Sequence, residues 1–229
     1  MVARTDAELF ELLKTRLDTA VVGDVLDSLG FRHQFLPPHI QALEKHTRLA
    51  GRAMPVLEAD VFDDGHATAA GPLACKKFGL MLEALDDLHP DEVYVATGAA
   101  PRFALWGELM ATRATQLNAA GAVLDGYVRD ADGIAALGFA TFCHGVYAQD
   151  QSPRGKVIDF RCAVEIAGVR IEPGTLIYGD DEGVLAIPKA AEQDAVALAL
   201  EKASAEGKVE QAIKNGMSAV DAFAKFGVM

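Results

Sequence analysis

The sequence predicts a single mixed α/β domain over residues 1–229, with a helical C-terminal arm from about residue 189 to 229. Three observations predict it. A β-α-β order runs from Glu92 to Asp125, and past Phe139 the chain breaks into short β-rich segments punctuated by Gly or Pro. From Lys189 a long Ala-rich helical stretch follows. A strand, a helix and a second strand in that order favour a parallel pair joined by a crossover helix.

The elements follow in order. Thr5-Asp-Ala-Glu8 has the spacing of a capping box ahead of Leu9, Phe10, Leu12 and Leu13, so a first helix starts there. A second helix runs from near Thr19 to Gly30, a strand is expected around Gly51–Leu57, and Leu73–Asp87 reads as a helix ending before His89-Pro90. Glu92–Ala96 is a short buried strand, Thr97–Leu105 a loop, Gly107–Ala120 a helix closed by Gly121, and Ala122–Asp125 the next strand. Short strands are expected near 140–146, 157–166, 169–172, 175–178 and 183–187, with Ala167-Gly168 turning a hairpin. A long helix ends near Asn215-Gly216, and a short helix closes the chain.

Composition bounds the function. Of 229 residues 51% are hydrophobic and 24% charged, and no apolar run approaches the roughly 20 residues that span a bilayer, so no membrane partner is expected. The stretch Met1–Glu8 carries acids and lacks the apolar centre of a signal peptide, and Cys75, Cys143 and Cys162 form no C-x-x-C pair. A cytoplasmic enzyme with reduced thiols is the expectation. The formal net charge of −12 repels phosphate backbones and argues against nucleic-acid binding. An anionic substrate would need positive charge concentrated in its own site.

Arg129-Asp130 supplies such a site, directly after the buried strand and Gly126-Tyr-Val. Ligands bind at the carboxyl ends of strands in open α/β sheets. Arg129 offers a planar fork for a substrate carboxylate, and Asp130 a hard oxygen ligand for Mg²⁺ or Mn²⁺. Taken alone, the dipeptide reads more readily as a surface ion pair or as a helix N-cap at Asp130. A second element bears on the choice. Trp106-Gly107-Glu108-Leu109 opens a helix whose N-terminus is ready to receive a carboxylate, and Gly107 allows close backbone approach. Glu108 precedes Arg129 by 21 positions, one strand–helix unit, so both can reach the same end of neighbouring strands. Glu108 also reads as a complement to the helix dipole.

Gly107-Glu-Leu, Gly121-Ala-Val-Leu-Asp-Gly-Tyr-Val-Arg-Asp, Gly138-Phe-Ala-Thr-Phe and Gly179-Asp-Asp-Glu-Gly-Val-Leu-Ala-Ile-Pro together resemble the RraA-like proteins. That family includes the 4-hydroxy-4-methyl-2-oxoglutarate / 4-carboxy-4-hydroxy-2-oxoadipate aldolases. The resemblance implies an α/β/β swivelling fold with mixed sheets, a homotrimer or dimer of trimers (a homohexamer), and a site at a subunit interface. It implies that Asp130 binds Mg²⁺ or Mn²⁺, and that Arg129 grips the carboxylate and 2-oxo group of a small 2-oxo acid. The backbone around Gly107, Glu108, Leu109 and Met110 would hold the carboxylate from the other side. Glu108 stands where the aldolases carry Asp, a longer side chain of the same charge. A glutamate of the neighbouring subunit's C-terminal arm corresponds to Glu206, which falls within a stripe of Ala199, Ala203, Val209 and Ile213. Gly207 is placed to interrupt that arm.

Asp180, Asp181 and Glu182 resemble a second metal cluster but read chiefly as a turn before a strand. Asp24 and Asp27 read as caps and surface acids, with Asp24 also within reach of the site, and Cys143 reads as core. His144 reads as structural or as a base. The loop from Tyr147 to Gly155 is placed to cover the site, with Arg154 reaching a second carboxylate. The resulting expectation is a class II pyruvate aldolase or oxaloacetate decarboxylase, a lyase. The alternative class is a non-catalytic regulatory protein of the ribonuclease E inhibitor type. A methyltransferase is not expected, since no G-x-G-x-x-G follows a strand.

Overall fold

The structure, a computed structural model, describes residues 5–61 and 71–227. The chain opens with helices α1 (Asp6–Arg16) and α2 (Thr19–Ser28), then strands β1 (Gln41–Ala42) and β2 (Leu49–Asp60). Next come α3 (Met81–Asp86), β3 (Glu92–Thr97), β4 (Ala104–Trp106), α4 (Glu108–Gln116), β5 (Gly121–Leu124), β6 (Tyr127–Val128), α5 (Ala131–Leu137) and β7 (Thr141–Cys143). Strands β8 (Gly155–Phe160), β9 (Val164–Ile166), β10 (Val169–Ile171), β11 (Leu176–Asp180) and β12 (Gly183–Ile187) lead to α6 (Glu192–Lys214) and α7 (Ala219–Phe226).

The chain divides into two compact units, one from residues 33–189 and the other from both chain ends. The larger unit is built on one mixed sheet in the order β1-β7-β5-β3-β2-β11-β12, with β8 also paired to β2. The expected crossover is present: β3 and β5 are parallel, Val93 opposite Gly121, with α4 between them in sequence. Strands buried on both faces read as continuous apolar runs. In β3, Val93 and Val95 join one core while Tyr94 and Ala96 join the other, as the two-residue period requires. Ala84, Ala111, Ala114 and Ile134 of α3, α4 and α5 pack on the Tyr94 face. The β9–β10 hairpin covers the other face through Val164, Ile166, Val169 and Ile171. The layering is therefore helix, sheet, second sheet. Ala167 and Gly168 both take positive φ, the backbone that a tight two-residue hairpin turn needs.

In the larger unit, local expectations change at two segments, Leu73–Asp87 and Thr97–Leu105. The helix expected over Leu73–Asp87 begins only at Met81. Gly79 takes φ +66 and lies so close to β8 that a Cβ there would fall 2.1 Å from the Val157 carbonyl oxygen. A residue in that conformation, bridged to a strand, cannot continue a helix. The loop expected over Thr97–Leu105 ends in a buried strand, β4, which pairs in parallel with β6.

The smaller unit is helical. Thr5 caps α1 by accepting a hydrogen bond from the Glu8 amide at 3.2 Å. Helix α6 runs unbroken through Gly207, so the expected interruption does not occur. Its buried positions are Glu192, Ala195, Val196, Ala199 and Val209, whereas Ile213 is 41% exposed and leaves the expected stripe. No helix among the described residues is long and apolar enough to cross a membrane.

Candidate active site

The corner that holds Arg129 and Asp130 is made by the β4–β6 pair. Val128 lies opposite Trp106, and the Arg129 amide donates to the Trp106 carbonyl at 3.0 Å. Trp106 is buried between Tyr94 and Phe139, with ring centroids 4.8 and 5.9 Å away, which fixes the strand that leads into Gly107. Gly107 is the N-cap of α4, and Asp130, in left-handed backbone at φ 57 and ψ 41, is the N-cap of α5. Aspartate is among the few residues that accept this conformation.

The two helix starts exchange carboxylates. A Cβ on Gly107 would fall 2.9 Å from Asp130 Oδ2 and 3.4 Å from Arg129 Cγ. A Cβ on Gly133, in the first turn of α5, would fall 2.4 Å from Glu108 Oε2. Glycine at both positions is what lets Asp130 lie against the start of α4 and Glu108 against the start of α5. Arg129 then bridges two acids: Nη1 donates to Asp150 Oδ1 at 3.0 Å, and Nε stands 3.5 Å from Asp130 Oδ2. All three side chains are about two-fifths to one-half exposed, so a ligand can reach them.

A cavity of about 330 Å³ opens beside this cluster. Gly107, Leu109, Met110, Arg129, Asp130, Asp150 and Gln151 supply part of its wall. The opposite wall is apolar, from Phe78, Met81, Leu82 and Leu85. The substrate-site residues expected from sequence thus come together on one cavity, apart from the Glu108 side chain, which packs against α5. The loop from Tyr147 to Gly155 does border the cavity, through Asp150 and Gln151. Arg154, expected to reach a substrate carboxylate, instead donates to the Asp150 and Ser152 carbonyls at 3.2 and 3.4 Å and braces the loop.

Behind Gln151 lies an acid that the sequence reading missed. Gln151 Nε2 donates to Glu58 Oε2 at 2.7 Å, and Glu58 is 1% exposed. Glu58 follows a register shift in β2 between Leu57 and Glu58, and such irregularities re-aim a side chain. Burial pushes its pKa from the ordinary 4.5 up to about 8, so it holds its proton at neutral pH. Burial, and then the proximity of Glu58, lift the Tyr94 hydroxyl well above the usual tyrosine range. Glu58 Oε1, Tyr94 Oη and Trp106 Nε1 are buried with no hydrogen-bond partner among the described residues.

His144 has a specific setting. Its Nε2 lies 3.1 Å from Asp125 Oδ1, and its ring meets His39 and Tyr127 edge-on at 4.4 and 5.8 Å. Burial, helped by His39 and opposed by Asp125, holds its pKa below the usual histidine range. One donor atom each from His39, Asp125 and His144 lie within 4.8 Å of one another, a group that could hold a metal ion. Cys143 is core, as expected, and Asp181-Glu182 turns β11 into β12, whereas Asp180, also expected in that turn, is the buried last residue of β11 and accepts from the Glu182 amide at 2.9 Å.

The family described as "RraA-like: Aldolase/RraA" matches residues 19–186. The chain belongs to this RraA-like family. Protein DlpA of Legionella pneumophila is 34% identical over 112 residues, 49% of this chain but only 18% of DlpA. A protein of Halalkalibacterium halodurans, provisionally named 4-hydroxy-4-methyl-2-oxoglutarate aldolase, is 33% identical over 145 residues, 62% of this chain and 68% of its own length. Streptomyces coelicolor RraAS2 is described as an unusual member of the ribonuclease ES inhibitor RraA protein family. It superimposes with a TM-score of 0.76 at 23% identity, over 91% of this chain and 98% of that one. At that identity the likeness shows the RraA-like fold.

Of the four charged residues expected at an RraA-like lyase site, Arg129, Asp130 and Glu108 lie in the larger unit around the β4–β6 corner. Glu206 lies on α6 in the smaller unit, its side chain 33% exposed and 3.6 Å from Lys202 Nζ, which also donates to Asp24. Asp150 is the acid at Arg129 that sequence reasoning did not single out.

Proposed function

We propose that the protein is a divalent-metal-dependent lyase that cleaves a C–C bond in a small 2-oxo acid and releases pyruvate. The observation that carries the proposal is the Arg129 guanidinium held between Asp130 and Asp150 on a cavity wall shared with the N-terminus of α4. A ligand carboxylate there can displace the solvent-exposed ion pairs of Arg129, whose worth is small, and gain a bidentate contact. The first-turn amides at Glu108, Leu109 and Met110, for which the helix itself supplies no acceptor, offer a second source of positive potential, fixed in place as charge develops on the 2-oxo oxygen. The apolar wall gives a bound ligand a low-dielectric side, which strengthens both.

Asp130 suits Mg²⁺ or Mn²⁺: it is a hard oxygen donor, half exposed, and Gly107 leaves open the space that a Cβ would fill beside its Oδ2. Held there, such a cation supplies Lewis acidity toward the 2-oxo group. In a 4-hydroxy-2-oxo acid, the C3–C4 electron pair passes to C3 and C2 as the C4 hydroxyl loses its proton, leaving the enolate of pyruvate and a carbonyl product. In oxaloacetate the same electron flow releases carbon dioxide. Glu206, from the arm of a neighbouring copy in a trimer or hexamer, is proposed to handle that proton, and Glu108 shares the role once its side chain turns from Gly133 of α5 toward the cavity.

The test is pyruvate release from 4-hydroxy-4-methyl-2-oxoglutarate and from oxaloacetate, by the wild type and Arg129→Ala with Mg²⁺ present. Release by the wild type, lowered on the order of 10²-fold or more in the variant, is expected. Release at the uncatalysed rate for every 2-oxo acid tried would favour the alternative, a non-catalytic regulator of the ribonuclease E inhibitor type.

A further inference from the structure

His39, Asp125 and His144 come from three neighbouring strands. The sheet order is β1-β7-β5, with β5 and β7 parallel and β1 antiparallel to β7. Asp125 and His144 therefore follow the carboxyl ends of β5 and β7, while His39 precedes the amino end of β1, and all three lie at the same end of these neighbouring strands. Backbone bonds fix two of them: the Asp125 amide donates to the Ala96 carbonyl at 2.9 Å, and the His144 amide to the Gly126 carbonyl at 2.8 Å. We infer that these three residues form a binding site for a divalent transition cation of the Zn²⁺ class, separate from the Asp130 carboxylate.

The donor set decides the class of ion. Two imidazoles and one carboxylate suit Zn²⁺, Co²⁺ or Fe²⁺, whereas Mg²⁺ prefers oxygen and retained water. Three protein donors with an exposed side leave a position open, as in catalytic rather than structural zinc sites. His144 Nε2 and Asp125 Oδ1 are 3.1 Å apart, close to the roughly 3.3 Å between two ligands of one tetrahedral ion with bonds near 2.0 Å. His39 lies on the exposed side of the group, where a modest ring movement closes the set around an ion. The surrounding shell orients the donors. Thr97 Oγ1 donates to Asp125 Oδ2 at 2.8 Å and leaves Oδ1 turned to His144. The His144 side chain is only 12% exposed and is steadied by Tyr127. Outer-shell hydrogen bonds of this kind hold ligands in register.

The inference does not rest on the lyase reading, because binding is measured without turnover. Tag-free, chelator-stripped protein is titrated with Zn²⁺ by calorimetry, and with Co²⁺ by visible absorption, in the wild type, His39→Ala, His144→Ala and Asp130→Ala. About one ion per chain is expected in the wild type and in Asp130→Ala. His39→Ala and His144→Ala are each expected to weaken binding by at least roughly tenfold. His39 is exposed, so its variant keeps the test valid if His144→Ala fails to fold. Binding that is unchanged in His39→Ala, lost in Asp130→Ala, or absent from the wild type would overturn the inference.

Discussion

At Arg129, geometry rather than charge alone defines the site. The guanidinium spans Asp130 and Asp150, an arrangement that uses its planar fork and that a lysine ammonium cannot reproduce. Arg129→Lys keeps the charge, so it is expected to raise KM and lower kcat/KM by roughly 10- to 100-fold with little change in Tm, measured by steady-state pyruvate release. Wild-type kinetics in that variant would remove the fork from the account. The sequence disclosed Arg129 and Asp130 because they are adjacent and follow a buried strand. It hid Asp150, which reaches Arg129 from a loop 21 residues further on. It also hid Glu58, whose buried position beside Gln151 is set by a register shift in β2.

At the scale of the element, the site depends on two helix N-termini, each with a glycine against which the other's carboxylate packs. Gly107→Ala places a methyl 2.9 Å from Asp130 Oδ2, so the carboxylate must move, while at the N-cap of α4 alanine replaces a better capping residue at a modest cost to the helix. Activity is expected to fall on the order of tenfold or more while the urea midpoint shifts little, a split checked by pairing kinetics with denaturation. A loss of stability without loss of kcat/KM would mean that the glycine serves the fold alone. The elements themselves were readable to different degrees. Glu92–Thr97 and Gly121–Leu124 were plain as apolar runs of strand length, and the Ala-rich α6 as a helix. Strand β4 was not, since Ala104–Trp106 is short and its strand partner among the described residues is the distant two-residue β6. The start of α3 was misplaced because the stop at Gly79 is imposed by β8 and not by local propensity. The His39–Asp125–His144 group was invisible for a related reason: only the sheet order brings its three members together.

At the scale of the molecule, a mostly neutral Glu58 beneath an acidic surface ties stability to pH. Its folded pKa, about 8, lies above the ordinary 4.5, so between those values the folded state binds more protons than the unfolded state. Stability contributed by this group is full below about pH 4.5 and is lost as pH rises toward 8, with a slope of up to about 1.4 kcal/mol per pH unit. Glu58→Gln removes that slope. Urea unfolding at pH 5 and pH 9 is expected to show a larger drop in the wild type than in the variant, whereas equal drops would mean that Glu58 ionises normally. The chain belongs to a family described as Aldolase/RraA, and the cation site proposed at Asp130 is the feature by which a lyase would be told from a non-catalytic relative. The most direct measurement is the rate of pyruvate release from oxaloacetate by chelator-stripped protein as Mg²⁺ is added, in the wild type and in Asp130→Ala. The account predicts a saturable Mg²⁺ activation in the wild type and none in the variant. Equal Mg²⁺ activation in both, or activity that follows His144 and Zn²⁺ while ignoring Asp130, would contradict it.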